Sequence, residues 1–276
     1  MPAEEPARTE LADFLRTRRR HIAPSQVGLQ ATGQRRTPGL RREEVSLLSG
    51  VSLTWYTWLE QGRDIKPSRQ VMDALARTLR MSTAEHAYVL RLTDHATEAP
   101  LQRHAAAMPA HAQRLIDALE TSPAYAITPY WSILGWNRAY AALYPNVATV
   151  PAADRNLLWL VFTDPYVREL LVDWRTDSRR FLTQFRAEAG SRVHEPTFAA
   201  LIQRLHKVSE HFRVGWASHD VDQFASTQRR FQHPRAGTLV LEHHRLALSD
   251  HPDLHLVIYT AAPGSDTARR LPELIG

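Results

Sequence analysis

Apolar residues recur at helical spacing through the first hundred positions. Leu11, Phe14, Leu15 and Ile22 share one face of a helix that Thr9 is placed to cap. Gly28, Gly33, Pro38 and Gly39 then punctuate a turn-rich stretch. The helical pattern resumes over 40–48 and stops at Gly50. Ser52 sits where a cap belongs, ahead of a compact apolar and aromatic run over 53–59 that Gly62 ends. Ser68 opens a helix over 69–80 with Val71, Leu75, Ala76 and Leu79 on one face. Ser82 and Glu85 form a capping box for a fifth helix reaching about His95. The pattern predicts a mainly α N-terminal bundle over 9–95, behind a disordered N-terminus at 1–8. Residues 96–110 are rich in Ala, His and Pro without periodicity and read as a linker.

The pattern changes beyond that point. A helix over 111–120 precedes short β-like runs at 125–128 and 132–135. Helical segments follow at 137–144, 157–162, 165–171, 178–189 and 196–210. Three closing strands fall at 223–232, 238–248 and 254–260, with a hairpin turn at 234–237. This order predicts a C-terminal α+β domain over 111–276, one sheet with helices on one side.

Composition narrows the class of protein. With 276 residues, 43% hydrophobic and 23% charged, the chain is long enough for two folded domains, and it is not a wholly disordered polymer. No apolar run reaches the roughly 18 residues of a membrane span, and the N-terminus has no signal-peptide core. The expected setting is the cytoplasm, in association with the nucleoid and not with a membrane. Without cysteine there are no disulfides and no thiolate metal sites. The net charge of +5 makes a polyanion partner plausible, and all but two of the 34 basic residues are arginine. Eight arginines between Arg16 and Arg42, with no acidic residue among them, concentrate that charge beside the segment that follows.

A helix-turn-helix needs a small residue where its helices cross, a glycine at the turn and an apolar lock. Ser46, Gly50, and Val45, Val51, Tyr56 and Leu59 supply these in turn. The second helix then presents Ser52, Leu53, Thr54, Thr57 and Trp58 outward, where recognition-helix residues meet base edges in the major groove. Thr54 and Thr57 suit base edges or a thymine methyl, and Leu53 and Trp58 suit thymine methyls. Trp58 equally suits packing against the helix after Ser68. Arg41 and Arg42 before the pair, and Arg63 and Lys66 after it, are placed for phosphates. Arg35, Arg36 and the arginines at 16–20 are candidates for further backbone contacts.

The Gly-Val-Ser and Leu-Glu-Gln-Gly-Arg runs resemble the helix-turn-helix of XRE or lambda-repressor-type regulators, with Ser49 where alanine is commoner. That resemblance implies an arginine partner from the first helix for Glu60. Residues 35–45 and the run from Trp55 to Ser68 are similar to the MmyB-like subgroup. So are Ile133-Leu134-Gly135-Trp136-Asn137, Asp154-Arg155-Asn156-Leu157-Leu158, Phe162-Thr163-Asp164-Pro165, Trp216-Ala217-Ser218-His219-Asp220-Val221 and Tyr259-Thr260-Ala261-Ala262-Pro263-Gly264-Ser265. The resemblance implies a PAS-like ligand-binding domain, a fatty-acid-like or other amphipathic effector, and regulation of transcription.

Within that domain the candidate ligand contacts are Arg155, Asn156, His219, Trp136, Trp159, Phe162 and Trp216; Arg155 suits a carboxylate. Asn137 and Asp164 precede helical runs and read as N-caps. Catalysis finds no support, since HExxH, P-loop, dinucleotide and GxSxG motifs are all missing. His251 and His255 are split by Pro252, and His243 and His244 point to opposite faces of a strand, so no metal and no cofactor are expected. The expectation is a non-enzymatic, sequence-specific DNA-binding transcriptional regulator. It would bind a pseudopalindromic double-stranded operator as a homodimer and sense a small effector such as a fatty acid. The rival is a DNA-binding module with a C-terminal protein-interaction domain, antitoxin-like or phage-repressor-like.

Overall fold

The computed structural model describes residues 5–29, 39–93, 107–190, 192, 195–222 and 224–275. The chain divides into two compact units. One comprises Met1–Ala99, Arg186–Gln203 and Arg213–Gln223; the other comprises Pro100–Phe185, Arg204–Phe212 and Phe224–Gly276.

The first unit opens with α1 (Glu5–His21), α2 (Arg42–Ser49), α3 (Leu53–Glu60), α4 (Arg69–Thr78) and α5 (Thr83–Leu92). Ser52, Ser68 and Ser82 cap α3, α4 and α5 by accepting the backbone N–H three residues on. Thr9 is not a cap. The first helix begins at Glu5, and the Thr9 hydroxyl donates back to the Glu5 carbonyl at 2.9 Å, as a hydroxyl inside a helix does. Phe14, Leu15, Val45, Tyr56, Leu75, Ala76 and Leu79 are buried as the spacing marks out; Met72 and Tyr88 are buried as well, whereas Val71 is only half-buried. Gly39 is needed at its place for space, because a Cβ there would lie 2.3 Å from the Arg20 carbonyl oxygen. The Leu40 N–H meanwhile donates to the Arg19 carbonyl at 3.0 Å.

The remaining elements are α6 (Ala110–Asp117), β1 (Ala124–Ile127), β2 (Ile133–Trp136), α7 (Arg138–Leu143), α8 (Leu157–Thr163) and α9 (Pro165–Leu170). After them come α10 (Trp174–Ala189), α11 (Pro196–Val208), α12 (Glu210–Ala217), β3 (Gln228–His233), β4 (Gly237–Ala247), β5 (His255–Ala261) and α13 (Thr267–Ile275). The sheet is antiparallel throughout, in the order β2-β1-β5-β4-β3. Several elements differ from the expected ones. The expected helix over 196–210 is two helices, because the Ser209 hydroxyl caps a new one by accepting the Phe212 N–H at 3.2 Å. β3 pairs with β4 only from Gln228, five residues later than the pattern suggests. α13 closes the chain although Pro272 lies inside it.

Helices also lie on both faces of the sheet, not one. Ala112 and Ile116 of α6 bury against Ala124, Ala126 and Leu256. On the opposite face Tyr125 packs on Tyr140 of α7, with ring centroids 4.5 Å apart, and Phe181 of α10 lies beneath the Arg229 guanidinium at 4.0 Å. Tyr125 and its neighbour Ala124 reach different helices because successive strand residues point to opposite faces.

Candidate nucleic-acid interface and effector cavity

The turn between α2 and α3 is built by three short contacts. Gly50 takes φ 72°, a left-handed conformation that favours glycine, and donates its N–H to the Ser46 carbonyl at 3.0 Å. The Ser46 hydroxyl donates to the Val51 carbonyl at 2.7 Å, and the Ser52 hydroxyl accepts the Trp55 N–H at 3.3 Å. With the entry to α3 so held, Tyr56 and Leu59 face the core. Ser52, Leu53 and Thr54 are exposed, and Thr57 and Trp58 are half-buried. These five form a short outward ledge at the N-terminal half of α3.

Cations flank the ledge. Arg41 is exposed at the start of α2, its backbone N–H held by the Glu44 carboxylate at 2.7 Å. Arg63 and Lys66 are exposed beyond α3, and the Arg63 guanidinium lies 5.6 Å from the centre of the Trp58 ring. Arg42 donates its Nε to Glu60 at 2.7 Å with its side chain still 40% exposed, so part of its fork faces solvent. Arg35 and Arg36 lie outside the described residues.

Three arginines of α1 instead hold the bundle together. Arg16 donates to the Glu60 carbonyl at 2.6 Å, and Arg18 bridges to Glu85 at 3.0 Å. Arg19 forks onto the Glu60 carboxylate at 2.5 and 3.0 Å and donates its remaining nitrogen to the Leu40 carbonyl at 2.8 Å. Glu60 is wholly buried; burial pushes its carboxyl up, but the Arg19 hydrogen bonds and charge outweigh this and hold it below the usual carboxylate range. The acid beside the ledge is thus neutralised from α1 and α2 together.

A second buried ionic group lies in the same unit. Glu10 accepts the Tyr88 hydroxyl at 2.7 Å, with His219 Nδ1 at 3.3 Å and Arg186 Nη1 at 3.5 Å. Arg186 is completely buried, stacked 4.1 Å over the Trp216 ring. Burial pushes the Glu10 carboxyl up, yet the His219 hydrogen bond, the Arg186 charge and Tyr88 bring it down to about 2.

The expected ligand contacts do not converge. Trp216 and His219 belong to this ionic group. Asn156 caps α8, accepting the Trp159 N–H at 3.1 Å, while its amide donates to the Tyr130 carbonyl at 2.6 Å. Arg155 donates to the Val150 carbonyl and stacks on Trp136, Arg204 stacks on Trp159, and Phe162 packs edge-on against Trp174 and Phe212. Asn137 and Asp164 cap α7 and α9, the role their positions suggest.

A cavity of about 20 Å³ lies elsewhere, between the sheet and α10, with Phe181, Gln184, Phe224, Arg229, His243 and Arg245 in its wall. Arg229 escaped the sequence reading and His243 entered it only as half of a rejected metal pair, although strand parity contains the signal for both. Arg229 shares the face of Phe231, and His243 shares that of Leu239 and Leu241; both are only 2% exposed. Histidine pairing read along the chain also missed a spatial group. His111, Asp250 and His251 bring one potential metal-ligand atom each within 4.8 Å of one another, at a largely exposed site. Among the described residues, no helix is long and apolar enough to cross a membrane.

Two family models match the chain. A helix-turn-helix domain model matches residues 10–89, and the MmyB-like transcription regulator ligand binding domain matches residues 108–274. No curated protein matches the chain.

Proposed function

Because the chain belongs to the MmyB-like transcription regulators and pairs a helix-turn-helix with a ligand-binding domain, we propose that it reads a pseudopalindromic operator as a homodimer and answers to a small amphipathic, fatty-acid-like effector. The observation that carries the DNA reading is the ledge on α3: Ser52, Leu53 and Thr54 face outward from a helix fixed by the Gly50 turn and the buried Glu60. In this reading Thr54 and Thr57 meet base edges, Leu53 and Trp58 meet thymine methyls, and Arg41, Arg63, Lys66 and the free part of Arg42 meet phosphates.

One helix-turn-helix covers a half-site, so a two-fold dimer supplies the second half and the needed discrimination. The five-stranded antiparallel sheet with helices on its faces supports a PAS-like sensor domain. An effector regulates only if it binds two arrangements of the dimer with different affinity. The protein works in this reading as a cytoplasmic, nucleoid-associated regulator, without catalysis.

Fluorescence anisotropy on a selected operator and a scrambled duplex tests the roles. Thr54→Ala is expected to cost about 1 kcal/mol on the operator and far less on the scrambled duplex. Arg41→Ala is expected to weaken both equally and to reduce the salt slope by about one. Equal weakening of both duplexes by the Thr54 change would remove its base-reading role.

A further inference from the structure

Two segments far apart in the chain share one core cluster and carry metal-ligand side chains at its rim. Ala112 and Ile116 of α6 bury with Leu254 and Leu256, and Leu248 packs against the same cluster. The Gln113 amide fixes the helix further by donating to the Trp136 carbonyl at 3.0 Å. The turn that joins β4 to β5 is held on both sides of His251. The His251 N–H donates to the Leu248 carbonyl at 3.2 Å, and its own carbonyl accepts the Leu254 N–H at 2.8 Å. His111 therefore stands beside one anchored residue, Ala112, and Asp250 and His251 stand between two others, Leu248 and Leu254.

The three side chains meet at one point. His111 Nε2 lies 3.0 Å from Asp250 Oδ2. The His251 ring stacks beside that of His111, with centroids 5.6 Å apart and an interplanar angle of 22°. One ligand atom from each of the three lies within 4.8 Å of the other two. An exposed His–Asp pair contributes little to stability, and a second imidazole adds nothing to it as an ion pair. A shared cation accounts for all three. Ligand atoms about 2 Å from one tetrahedral ion stand about 3.3 Å apart, and the ring centres of two imidazoles bound to it stand about 5 Å apart. The His111–Asp250 distance and the ring separation already fit that geometry. Turns of side chains on a fixed backbone close the rest.

We propose that His111, Asp250 and His251 form a site for a divalent transition-metal ion of the zinc, cobalt or nickel kind, which clips the start of α6 to the β4–β5 turn. Two imidazoles suit such ions and disfavour calcium and magnesium, which take oxygen ligands. The ion takes the place of the proton between His111 Nε2 and Asp250 Oδ2, and the His111 ring carries its hydrogen on Nδ1 instead. Three protein ligands leave a fourth position for water. The spacing of histidines along the chain hides this site, because His111 lies in α6 and its partners lie in a hairpin turn near the other end. The site depends on neither DNA nor effector and stands apart from the reading of the domain as a sensor.

Titration of the full chain, without an affinity tag and stripped with chelator beforehand, with zinc and cobalt(II) tests it. One equivalent is expected to bind with a Kd in the micromolar range, and millimolar magnesium or calcium is expected not to displace it. Cobalt(II) is expected to show the intense visible absorption of a four-coordinate ion. His111→Gln and His251→Gln are each expected to weaken binding at least about ten-fold. His86→Gln, which breaks a comparable pair with Asp73 at 2.7 Å, is expected to leave it unchanged. In the unaltered protein, zinc is expected to slow amide exchange over 110–117 and 248–254, a readout that does not depend on any variant folding. Absence of binding, displacement by magnesium, or binding that survives His111→Gln combined with His251→Gln would overturn the site. Zinc bound without added protection of those two segments would overturn the clip.

Discussion

Replacing Glu60 by alanine is the sharpest test of how the recognition helix is held. The carboxylate is wholly buried and receives two hydrogen bonds from Arg19, at 2.5 and 3.0 Å, and one from Arg42 at 2.7 Å. Charge-assisted bonds of this kind are worth about 1.5–3 kcal/mol each. Their sum overstates the loss, because alanine also removes the cost of burying the carboxylate. Arg42, 40% exposed, returns to water and contributes little. Arg19 is only 9% exposed and cannot do the same, so the loss is that of a buried cation stripped of its partner, about 3–5 kcal/mol. Glu60→Gln keeps the shape and one acceptor and is expected to cost about half as much. Arg19→Met with Glu60→Leu removes both charges and is expected to recover most of the loss. A two-unit chain gives no single unfolding free energy, so the measurement is native-state amide exchange read on peptides of α1, α2 and α3. A loss below about 1 kcal/mol for Glu60→Ala, or a double variant as costly as the two single changes added together, refutes the argument.

Two glycines are expected to respond to alanine for opposite reasons. Gly50→Ala meets no atom within 4 Å, so its cost is that of the left-handed backbone alone, about 1–2 kcal/mol. Gly39→Ala drives a Cβ into the backbone of α1 and is expected to cost more and to loosen the Leu40 to Arg19 hydrogen bond; amide exchange giving the reverse order would count against the packing argument. Glu10 sets an acid limit on the first unit. Its carboxyl falls from an ordinary 4.5 to about 2 in the folded chain, so its stabilisation, about 3 kcal/mol, is complete above pH 4.5 and is lost as pH falls through 2. Glu10→Gln is expected to flatten exchange protection of α1 and α5 across that window, and an unchanged pH profile would show that the ionic group contributes nothing.

Local signals made the N-terminal bundle legible. The caps Ser52, Ser68 and Ser82 and the glycine stop at Gly50 each depend on atoms within four residues, and spacing reports such relations directly. The outward ledge followed from helical geometry alone, as did the caps Asn137 and Asp164. The arginines of α1 were harder, because a run of cations looks the same whether it faces phosphate or a buried glutamate. Arg19 and Glu60 meet because α1 and the end of α3 pack side by side; the spacing of neither segment encodes the other, and only the family resemblance pointed to an arginine partner for Glu60.

The cavity was illegible for a related reason. In the β3 segment Gln-Arg-Arg-Phe-Gln-His, alternation assigns Arg229, Phe231 and His233 to one face, and burial of Phe231 assigns all three to the interior. General experience with arginine argues the other way, since that side chain is almost never buried unless paired. Parity prevails here because a one-residue slip would expose Phe231 together with every apolar partner on its face. An arginine on an apolar parity therefore carries a definite implication: something across that face must meet its charge. Asp177 from α10 does so only at 3.5 Å, which leaves donor capacity over.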